Sequence, residues 1–159
     1  MSKLENITNQ PIVTKIFRLA GTVNKGLGFL APLADLFVRL RVANDFFNSG
    51  LTKIKSFDST IMLFKYEYQV PLLSPTVAAT LGTACELILP VFIALGLAGR
   101  YAALALFLFN IVAVISYPDA QTGQAFAQHQ VWGILLLVTI CYGPGKISLD
   151  YLIGKLICK

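Results

Sequence analysis

The chain has 159 residues, 56% of them hydrophobic and only 13% charged, with a formal net charge of +5. A soluble domain carries about 25% charged and about 45–50% apolar residues, so this composition excludes an ordinary water-soluble domain and points to a bilayer as the solvent. The cations stand between apolar runs and toward the ends, without a nucleic-acid motif, which sets aside a nucleic-acid partner in favour of anionic lipid.

Ile12, Ile16, Phe17, Leu19, Ala20 and Val23 recur at helical spacing, with Lys15, Arg18 and Lys25 between them and Pro11 suited to a helix start. Residues 1–26 are therefore predicted to form a cytoplasmic amphipathic helix on an anionic membrane face, or to extend the first span inward. No basic, apolar and small-residue succession of a secretory signal is visible in them. The first predicted span, Leu27 to Gly50, reaches the roughly 20 residues a crossing needs. It carries Asp35, Arg39, Arg41, Asn44 and Asp45, and the spacing lets Asp35 meet Arg39 and Arg41 meet Asp45 along one helix. Leu51 to Ser74 reads as a polar loop with a short surface helix.

The second predicted span, Thr76 to Ala98, has Glu86 as its only charge, and Gly99 and Arg100 make the turn. The third, Tyr101 to Tyr117, holds Asn110 and ends at Pro118 and Asp119. A polar link over Ala120 to Gln128 precedes the fourth. Its strictly apolar part, Val131 to Tyr142, falls short of a crossing, and extending it back to Phe126 places His129 near the membrane edge. Gly143, Pro144 and Gly145 stop that helix, and the tail from Lys146 to Lys159 is amphipathic and basic.

The predicted fold is an all-α integral membrane four-helix bundle over residues 27–159, with the N-terminal amphipathic helix before it. Three spans plus a re-entrant segment is the alternative. With four spans, Lys3, Lys15, Arg18, Lys25, Arg100, Lys146, Lys155 and Lys159 share one side, against Lys53, Lys55 and Lys65 on the other. The positive-inside rule then puts both termini in the cytoplasm.

Arg39 and Glu86 are the most informative residues. A charge at mid-bilayer costs about 2.5–3.5 kcal/mol on insertion scales, so it faces the bundle interior and finds a partner. Each lies at a similar distance from the outer end of its predicted span, which predicts an Arg39–Glu86 ion pair. That pair serves either to lock two helices in register or to form an intramembrane pocket for an anionic or quinone-like ligand, or a proton path. Asn110 is a candidate for hydrogen bonding across helices. His129, the single histidine, is a candidate site residue, and Trp132 shares its helix face. Trp132, Tyr117 and Tyr101 also fit an interfacial aromatic belt. No Cys/His cluster suits a metal. Cys85, Cys141 and Cys158 form no CxxC pair, and Cys85 is expected as an inert thiol on a different face from Glu86.

These residues lie in segments that resemble the DoxX family of small bacterial membrane proteins. The resemblance runs from about Phe37 to Ile153. It is carried by RLRVANDFFNSGLTK, with Arg39, Phe46, Ser49, Gly50 and Lys53, and by VPLLSPTVAATLGTACELILPVFIALGLAGRYAAL, with Glu86, Pro90, Gly96 and Arg100. YPDA, HQVW and GPGKISLD follow in order. Asp35, Arg41 and Asp45 make the first span more charged than the family's usual stretch, and the link before His129 is longer. The resemblance implies four membrane helices and a bacterial inner-membrane location. It also implies association with thiol handling and oxidative stress, and in one branch with quinone-coupled oxidation.

Three function classes stay open. The first is a membrane subunit for redox or thiol homeostasis, holding a quinone or docking a redox partner enzyme, its pocket built from Arg39, Glu86, Asn110, His129 and Trp132. The second is a ligand-free scaffold or assembly factor, as a monomer or a homo-oligomer. The third is a small-solute or proton carrier, for which the chain shows no internal repeat. No self-contained catalytic motif is present, so catalytic residues are not assigned.

Overall fold

A computed structural model describes residues 11–68 and 70–157; Lys3, Cys158 and Lys159 lie outside them. The described residues form six α-helices and one 3-10 turn, without a strand. They are α1 Pro11–Lys55, α2 Phe57–Tyr66, α3 Pro75–Leu95, α4 Gly99–Ser116, the 3-10 turn Pro118–Gln121, α5 Gly123–Tyr142 and α6 Leu149–Ile157. Three helices, α3, α4 and α5, are long and apolar enough to cross a membrane.

The chain divides into two units, residues 1–34 and 35–159, and α1 runs through the boundary. In the first unit, polar and apolar side chains are exposed around the whole helix, with Phe17 and Phe29 among the most open.

In the second unit, α1 does not stop at Gly50 but continues to Lys55, where Lys53 and Lys55 occupy the last turn. Cations there complement the negative helix end. Thr60 of α2 shares its hydroxyl between the carbonyl of Lys53 (3.0 Å), in the last turn of α1, and that of Ser56 (3.2 Å), which gives an orphan carbonyl of α1 a partner. The segment expected as a mostly polar loop is thus largely helical. Phe64 of α2 packs on Ala78 and Ala79 of α3, whose small side chains let the helices approach.

Ser74 caps α3 by accepting from the Val77 N–H, with Pro75 at the first helical position. Gly96 ends it in the left-handed region at φ 64°. A Cβ on Gly96 would also stand 2.5 Å from Ser148 Cβ and 2.8 Å from Arg39 Nη1, so the turn is closed to any side chain. α5 begins at Gly123, eight residues before the strictly apolar run, and its 20 residues span about 30 Å.

The core joins four helices. Val42 and Phe46 of α1, Ile93 of α3, Ala102, Ala103 and Leu106 of α4, and Leu136 of α5 are all buried together. Leu81, Ile88, Leu108, Ile111, Val131 and Ile134 are exposed on the three apolar helices. That is more outward apolar surface than water tolerates on a monomer and is the surface that acyl chains solvate.

Candidate functional site

Gly50 sets the approach of α1 to α3. A Cβ there would lie 2.9 Å from Leu87 Cγ and 3.1 Å from Glu86 Cβ, so only glycine admits this contact. One turn further, Lys53 reaches Glu86. Its ammonium donates to Glu86 Oε1 at 2.7 Å and Oε2 at 2.6 Å, and to Ser49 Oγ at 2.9 Å. All three ammonium hydrogens are therefore engaged. The two side chains are 14% and 8% exposed, so the pair sits largely inside the protein.

This arrangement corrects the expected Arg39–Glu86 pair. Because α1 continues past Gly50, Glu86 faces Gly50 and Lys53, and Arg39 lies about three turns away, about 16 Å along the helix. Arg39 is 1% exposed and donates instead to main-chain carbonyls. Nη1 bonds to Ile93 O at 3.0 Å and Ala94 O at 2.8 Å, and Nη2 bonds to Ile147 O. The guanidinium thus caps the C-terminal end of α3, where orphan carbonyls and the helix dipole favour a cation. From the opposite side Asp150 caps α4, accepting from the N–H of Ala98 and of Gly99, each at 2.8 Å.

A cavity of about 240 Å³ opens beside the Lys53–Glu86 pair. Phe109, Val112 and Ala113 of α4 and Leu81 and Gly82 of α3 give it apolar walls. Cys85 borders it together with Glu86, so the cavity reaches round more than one face of α3. Ser116 also lines it, and its hydroxyl is buried with no hydrogen-bond partner. Tyr68 stacks between Phe64 (4.6 Å) and Tyr117 (4.7 Å), so an aromatic ladder borders one side. Burial pushes the Tyr68 hydroxyl up to about 12, with the negative charge of Glu86 adding to it. Burial and the neighbouring Asp119 raise Tyr117 in the same direction.

Trp132 and His129 of α5 form the remaining wall. Trp132 packs against the core, 4.9 Å from the Phe46 ring, and donates its indole N–H to Asp45 Oδ2 at 2.8 Å. Asp45 Oδ1 is held by Arg41, four residues away as anticipated. His129 meets Trp132 edge-on at 4.9 Å. It also forms a two-way bond with Asn110 of α4: Asn110 Nδ2 donates to His129 O at 3.0 Å, and His129 Nδ1 lies 2.7 Å from Asn110 Oδ1.

Of the five residues expected to form a pocket, Glu86, His129 and Trp132 line this cavity, Asn110 reaches it through His129, and Arg39 does not line it. Lys53, Ser49, Tyr68 and Ser116 were not anticipated. The Ser-Gly-x-x-Lys succession carried a usable signal, since Ser49 and Lys53 are one turn apart beside Gly50. Among the described residues no three His, Cys, Asp or Glu side chains gather as a metal site.

Compared with known families, residues 34–118 match the family model described as DoxX. No curated protein and no solved structure matches the chain.

Proposed function

The chain belongs to the DoxX family, and we propose that it is a four-span bacterial inner-membrane protein that holds a small lipophilic, quinone-like ring in the cavity beside Lys53 and Glu86. In that role it serves redox or thiol homeostasis together with a partner enzyme. The observation that carries the proposal is a buried ion pair opening onto a ring-sized, mostly apolar cavity among membrane-crossing helices. Charges inside a membrane are costly and mark functional sites by default. Pockets that bind small molecules combine apolar walls with a few placed polar groups. An engineered cavity of about 150 Å³ takes benzene, so the volume here suits one substituted ring. α1 supplies the fourth span on this proposal, with Lys53, Asp45 and Arg39 turned toward Glu86, Trp132 and the end of α3. The excess of Lys and Arg on one side supports cytoplasmic termini.

Two roles separate within the polar set. Arg39 is engaged with carbonyls and serves the fold; Glu86, His129 and Trp132 border the ligand. The test is extraction of the full chain in mild detergent, mass spectrometry of what co-purifies, and titration with a short-tailed quinone. Retention or uptake at one equivalent is the expected result. A protein that carries no quinone and takes up none would leave the scaffold role in its place.

A further inference from the structure

The proposal above leaves open which chemical form of a ring the cavity accepts, and the hydrogen-bond inventory decides it. Asn110 Nδ2 faces the carbonyl oxygen of His129, an acceptor only, so the amide orientation is fixed: nitrogen to that carbonyl, oxygen to the imidazole. Asn110 Oδ1 is likewise an acceptor only. The 2.7 Å contact therefore requires the hydrogen to sit on Nδ1. In a neutral ring Nε2 then carries a bare lone pair. His129 lines this cavity as well as the neighbouring cleft that it shares with Asn110, and of its two ring nitrogens Nε2 is the one to which no protein group bonds among the described residues.

The donors of fixed sense around the cavity are already committed. The three ammonium hydrogens of Lys53 go to Glu86 and Ser49, and the indole hydrogen of Trp132 goes to Asp45. The Ser49, Ser116 and Tyr68 hydroxyls and the Cys85 thiol can act in either sense. The polar atom with a fixed sense that remains free is thus an acceptor, His129 Nε2, which an occupant that displaces water leaves unpaired unless it brings a donor. We infer that the cavity selects its ligand by a hydroxyl hydrogen given to His129 Nε2, so that the ligand class is a phenol or hydroquinone ring rather than a ring bearing carbonyls alone. This rests on the cavity being a ligand site.

The test uses the full chain in detergent at about pH 8, where an imidazole is neutral. The probes are 4-propylphenol and 4-propylanisole, which share a ring and differ in the hydroxyl hydrogen. The single tryptophan, Trp132, lies on the cavity and reports occupancy by fluorescence. The phenol is expected to bind about tenfold tighter, the value of one net hydrogen bond. His129→Phe should bring the two probes level, and Asn110→Leu, which frees the ring to exchange its tautomer, should shrink the gap. Should either variant fail to fold, the unaltered chain still gives an answer. With one histidine, a 15N-histidine label yields a single imidazole, whose protonated nitrogen must be Nδ1. Equal affinity for the two probes, or a hydrogen found on Nε2, overturns the inference and leaves the cavity proposal standing. Binding of neither probe removes both.

Discussion

Replacing Lys53 and Glu86 singly and together tests the register of α1 against α3. Lys53→Met leaves a carboxylate that is 8% exposed without its cation, and Glu86→Leu leaves an ammonium that is 14% exposed with only Ser49. Breaking a buried pair from one side costs about 3–5 kcal/mol, because one uncompensated charge stays behind. Since a domain's whole stability is about 5–15 kcal/mol, each single variant should lose a large fraction of it. The double variant removes both charges and should be less damaged than either single one, since apolar replacement of a buried pair is often neutral or stabilising. The coupling energy expected from the cycle is therefore about 3 kcal/mol or more. Unfolding in rising dodecyl sulfate fraction, followed by circular dichroism, measures all four proteins. The parallel cycle with Arg39→Met and Glu86→Leu should be additive within about 0.5 kcal/mol, because these residues share no partner. Additivity for Lys53 and Glu86, or coupling between Arg39 and Glu86, would refute the register described here.

Other perturbations read neighbouring features. Arg39→Lys keeps the charge but loses the planar fork that serves three carbonyls, so it should destabilise by about 2 kcal/mol in the same assay and rescue Arg39→Met only partly. Gly50→Ala drives a methyl into Leu87 and Glu86 and should cost about 1–3 kcal/mol. Asp150→Asn retains one acceptor oxygen for two N–H groups and should lower stability by about 1 kcal/mol. Tyr68, raised from 10.0 to about 12, favours the neutral hydroxyl in the fold. Its contribution is complete below about pH 10 and is lost as pH rises through about 12, and the tyrosinate absorbance missing from Tyr68→Phe should be the last to develop.

Helices α3 to α5 were legible because long apolar runs bounded by Ser-Pro, Gly and Gly-Pro-Gly leave few alternatives. Asn110 reaching across helices and Arg41 meeting Asp45 were legible too, since a lone amide in an apolar run and an i, i+4 charge pair each have few partners. The register of α1 was not. Lys53 and Lys55 resemble the rim of a loop, and ending the helix at Gly50 shifted depths counted along α1 by about one and a half turns. Lys53 was thereby read as a loop cation and Arg39 was given its partner. Tyr68 and Ser116 enter the cavity through the α2–α3 connection and the last turn of α4, where no periodicity reports direction. Cys85 shows the limit of helical-wheel reasoning: residues 100° apart can border one space when that space is broad.

The clamp on the α3–α4 turn also bears on the order of biosynthesis. Arg39 leaves the ribosome 108 residues ahead of Ile147, whose carbonyl completes its coordination, and Asp150 emerges 52 residues after the Ala98 amide it caps. A nascent chain halted after Tyr142 holds a guanidinium lacking one acceptor and a helix start lacking its carboxylate. Residues 147–150 thus act as a latch: quality-control proteases should discriminate sharply between chains cut just before and just after Asp150.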